Sequence, residues 1–115
     1  MLEVRESARP LLTDRMQGVV DRLLPVLDRA ASQHHVPVEK IVVSGFADPE
    51  DDSTEIVVTQ WTPLPAPAAL AYWDQLGLMV EEWTRSLPGP LAALVTDKLA
   101  IAVEWDPHGA NLRPA

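Results

Sequence analysis

Cysteine is absent from this chain, which removes disulfides, thiolate nucleophiles and thiolate metal sites at once. Glycine occurs five times, scattered, so no glycine-rich phosphate loop exists. Phenylalanine and tyrosine occur once each. Cations are scarce: nine Lys and Arg stand against seventeen Asp and Glu, a formal charge of −8 at pH 7. No apolar run approaches the roughly 18 residues that span a bilayer. The opening Met-Leu-Glu-Val-Arg-Glu lacks the form of a signal peptide. These absences predict a cytoplasmic protein with no membrane contact and no cofactor.

The charge is uneven. Residues 1–37 hold five acids and five arginines and balance to zero; residues 38–115 hold twelve acids against Lys40, Arg85, Lys98 and Arg113. A nucleic-acid binder needs clustered cations to neutralise phosphates. This field is the opposite, and it excludes direct DNA or RNA binding.

What is present is a core. Of 115 residues, 47% are hydrophobic and 23% charged, a balance suited to one folded domain. Residues 13–33 form three sevens aligned on Asp-Arg pairs. At about 100° per residue, Leu12, Met16, Val19, Val20, Leu23, Val26, Leu27, Ala30 and Ala31 share one face, with Asp14, Asp21 and Asp28 on the far side. The spacing predicts a helix from about residue 9 to 34, capped by Ser7 before Pro10. Pro25 lies on its solvent face, where it bends the helix without breaking it. The four-three spacing also resembles a coiled-coil seam, but Val20 and Leu27 broaden the stripe into one that covers a sheet.

Residues 38–46 and 54–62 are rich in β-branched side chains and read as an antiparallel hairpin. A helix follows over residues 68–87, with an apolar arc wider than one sheet contact requires. Leu91 to Val95 add a short helical turn. Residues 97–105 then alternate bulky Leu99, Ile101, Val103 and Trp105 with Ala100, Ala102 and Glu104, a strand with unequal faces. The expected fold is α+β, two layers, in the order α-β-β-α-β. Its mixed sheet has three strands, both helices pack on one face, and the last two strands are parallel. Residues 1–9 are expected as a flexible arm, 10–106 as a single compact domain and 107–115 as a tail.

No catalytic constellation appears. Ser44-Gly45 lacks the preceding glycine of a nucleophile elbow, and His34, His35 and His108 have no ligand partners at metal-binding spacing. The acidic run containing Asp48, Asp51, Asp52 and Glu55 is the one candidate metal site, for a divalent cation. Its spacing departs from the calcium loop, and a solvated hairpin turn accounts for it better. Trp61 and Trp105 stand at strand ends, and Tyr72, Leu78, Met79 and Trp83 lie on the second helix. These six are the interface or pocket candidates. The leading expectation is a non-catalytic interaction module that forms a homodimer or binds a protein partner. The rival is a small-molecule binder or enzyme with a pocket between the tryptophan-bearing strand ends and the second helix.

Overall fold

The computed structural model describes residues 2–105; the expected tail at 107–115 lies outside them. Four strands form one sheet in the order β1-β2-β3-β4: β1 (Leu2–Val4), β2 (Lys40–Ala47), β3 (Thr54–Thr62) and β4 (Leu99–Trp105). The hairpin β2–β3 is antiparallel, whereas β1 is parallel to β2 and β4 is parallel to β3. The α+β class and the parallel last pair thus agree with the sequence reading. The three-stranded sheet does not, because Leu2–Val4 add a fourth strand. A 3-10 helix over Glu6–Leu11 follows that strand, so the segment read as an arm is built into the domain.

Helix α1 (Asp14–Gln33) starts later than its periodicity implies. Its cap is Thr13, whose hydroxyl accepts the Met16 N–H at 3.2 Å, not Ser7. Eight of the nine stripe residues are buried, and Leu12, just before the helix, is half-buried. Pro25 is exposed within an unbroken helix, so the Asp21 carbonyl that loses its N–H partner lies on the hydrated side. Helix α2 (Ala66–Arg85) begins just past Pro65, and Pro67 sits in its first turn. The turn expected at 91–95 is a full helix, α3 (Gly89–Lys98), which delays β4 to Leu99.

Strand alternation and the register put Ile41, Val43 and Gly45 on one face with Ile56, Val58, Gln60 and Thr62, and with Leu99, Ile101, Val103 and Trp105. The helices cover this face, and α1, α2 and the 3-10 segment share its core. The two parallel connections advance the same way across the sheet between strands of opposite sense. With their helices on one face they have opposite hands, one being the uncommon left-handed kind.

Candidate interaction surface

Each strand alternates, so every residue aimed at the helices leaves its neighbour on the far side. That far face carries Lys40, Val42, Ser44 and Phe46 from β2, and Glu55, Val57, Thr59 and Trp61 from β3. Ala100, Ala102 and Glu104 come from β4, and Glu3 from β1. No described helix crosses it. Val42 is 3% exposed yet stands outside the core cluster, because its cover comes from neighbours on the open face. The floor is made of small and β-branched side chains: Val42, Ser44, Val57, Thr59, Ala100 and Ala102. Trp61 and Phe46 rise at its two ends, and Phe46 is 51% exposed.

Charge is confined to the rim. Arg5 Nε donates to Glu3 at 3.0 Å, the Lys40 ammonium lies 3.9 Å from the same carboxylate, and it stands 5.5 Å from the centre of the Trp61 ring. That cation–π contact holds the indole at the corner of the face. Glu55 and Glu104 mark the β3 and β4 sides. The centre is apolar, with both signs of charge around it, the composition of an interface core and rim.

The six sequence candidates do not converge. Trp61 stands on the open face. Trp105, beside it in the sheet, points to the helix side and is half-buried. The two strand-end tryptophans therefore do not line a common pocket. On α2, Met79 and Trp83 turn toward α1, where with Val26 and Arg29 they border a cleft of about 230 Å³. Tyr72 is buried and lies edge-on to His34. Ala69, Leu76 and Val80 face the sheet. The wide apolar arc is thus largely spent on two neighbours, α1 and β4. Leu78 remains 62% exposed and Leu70 50% exposed.

Gln60 is the buried polar group that the strand pattern concealed. It occupies an inward position between Val58 and Thr62, 1% exposed. Its Oε1 accepts the Tyr72 hydroxyl at 2.6 Å, and its Nε2 donates to the Leu27 carbonyl at 3.3 Å. One side chain thereby ties β3 to both long helices. A polar residue in phase with inward valines was the available signal.

Burial pushes the Tyr72 phenol from its ordinary 10 up to about 12. A raised folded-state value favours the neutral form. Its stabilisation is complete below pH 10 and is lost as pH climbs through about 12. Because Tyr72 is the single tyrosine, the tyrosinate absorbance of the native protein should titrate near pH 12, and that of the denatured protein near 10. Coincident titrations would mean that the phenol is solvated in the folded state.

The acidic hairpin loop spends its carboxylates on its own backbone. Asp48 Oδ1 accepts from Glu50 N and Asp51 Oδ1 from Ser53 N, both at 2.9 Å. The bonding with Ser53 holds the Asp51 carboxyl below its usual range. Asp52 takes a left-handed conformation, φ 59°, which aspartate tolerates in turns. Among the described residues, no three His, Asp or Glu side chains gather where a metal ion could be held. The chain matches no known family model, no curated protein and no solved structure.

Proposed function

We propose that this protein is a non-catalytic interaction module that self-associates as a homodimer through the open face of its sheet. The observation that supports this reading is the contrast between the two faces. One is packed under three helices, while the other presents Val57, Ala100, Ala102, Trp61 and Phe46 under no described element. An apolar surface of that kind is a site of association. Two-fold pairing is the commonest closed solution. The rim carries Arg5 and Lys40 as well as Glu3, Glu55 and Glu104, so a mate can set opposite charges together around a dry centre. At −8 per chain the long-range repulsion opposes association, and salt that screens it strengthens the contact.

Sedimentation at micromolar concentration should give twice the chain mass of 12.6 kDa. Val57→Lys places a cation at the middle of the floor without touching the helix-covered core. It should return the protein to the single-chain mass with its helical spectrum intact. A wild-type protein that stays at 12.6 kDa in low and high salt, or a dimer indifferent to Val57→Lys, refutes this reading.

A further inference from the structure

The sheet has two edges, and they are treated differently. The β1 edge is three residues long and bears the Glu3–Arg5 pair. Short length and charge are the means by which proteins keep an edge from recruiting another strand. The β4 edge is longer and bears a single charge, Glu104. Its seven residues, Leu99 to Trp105, pair with β3 in unbroken register, with no bulge, no proline and no lysine. Ile101 is central on the covered face, yet it remains half-buried where Val58 beside it is fully buried.

We infer that β4 is a pairing edge, and that its occupant is β4 of a second copy, antiparallel about a two-fold axis at Ala102. This contact is separate from the open-face dimer and does not depend on it. The strand is its own complement in that register. All seven residues are paired: Leu99 faces Trp105 of the mate, Ile101 faces Val103, and Ala102 faces itself. Bulky groups thus meet bulky groups on the covered face. The single charged residue, Glu104, falls opposite Ala100, so the two carboxylates are kept apart.

The helix above the edge supports the same choice. Helix α2 packs on β4 and meets α1 along its Tyr72, Met79 and Trp83 side. Its other flank, with half-exposed Leu70 and Trp73, therefore overhangs the free edge. A two-fold axis normal to the sheet sets this flank against its own copy. One axis then pairs the open backbone groups and covers the apolar flank together.

The native chain has no cysteine, so one introduced thiol reports one position. In the Val57→Lys background, which removes the face-to-face contact, Ala102→Cys should form a disulfide-linked dimer on mild oxidation at near-millimolar protein. Ala100→Cys, opposite Glu104 of the mate, should not. Amide exchange across β4 should slow at least tenfold between micromolar and near-millimolar protein. Cross-linking at both positions or at neither overturns the inference. So does slow exchange independent of concentration, which would mean that the chain's own residues cover the edge. The open-face reading fails separately, by the mass of the Val57→Lys protein alone.

Discussion

Gly45→Ala is expected to lower the unfolding free energy by about 3 kcal/mol, near the upper end of what a small overpacked side chain costs. A Cβ built on Gly45 lies 2.1 Å from the Ser7 carbonyl oxygen and 2.7 Å from its carbon. Both are backbone atoms and cannot rotate away. The 3-10 segment rests there, held by the Gly45 N–H donating to Ser7 Oγ at 2.9 Å. The segment also buries Ala8 completely. To admit one methyl group, Glu6–Leu11 must lift off β2, exposing Ala8 and part of Leu11. The opposite sign is expected at Gly18, in the second turn of α1, where nothing lies within 4 Å of the added atom. Gly18→Ala should gain up to about 1 kcal/mol through helix propensity. Urea denaturation of the two variants checks both. Equal stabilities would mean that the 3-10 segment does not lie on Gly45 in solution.

The elements visible in the sequence are those whose period is set by one buried surface. Helix α1 covers the core along its length, so its apolar residues recur with the helix. The β2–β3 hairpin and β4 alternate because one side of each faces that core. Leu2–Val4 could not be recognised in this way. Three residues carry no measurable period, and their reason to be extended is a partner strand about forty residues away in β2. Ser7 shows how a local signal can be outbid. It has the composition of a helix cap, but its hydroxyl accepts from Gly45 instead, and Thr13 takes the capping role.

The same logic explains what was legible of the candidate surface. Ala100, Ala102 and Glu104 marked β4 as unequal-sided, and the open face follows directly from that alternation. The position of the tryptophans did not follow, because the face a strand-end side chain joins depends on parity. Trp61 pairs with Glu104 and Trp105 with Thr62, so the two tryptophans are offset by one residue across the β3–β4 pair, and one faces the helices and the other the open side. The width of the α2 arc was visible, but its division between α1 and β4 needed the third dimension.

Leu23→Ala is expected to cost about 2–5 kcal/mol, whereas its neighbour Arg22→Ala should cost less than about 1. Leu23 is completely buried at the middle of the α1 stripe, in the core shared with the sheet and α2. Truncation removes three carbons from that interior and leaves a cavity that the surrounding side chains fill only in part, so transfer and cavity terms add. Few changes outside the core approach that size. Arg22 is one residue away, about 100° around the helix, and exposed. Its guanidinium makes no ion pair among the described residues, so its loss changes a surface field and little else. The contrast isolates helix phase, since the two sites are adjacent along α1 and differ in the face they occupy. Denaturation of both variants in the Val57→Lys background keeps self-association out of the comparison. Similar losses at 22 and 23 would mean that α1 presents a different face to the sheet, and the core built around Gln60 and Tyr72 would fail with it.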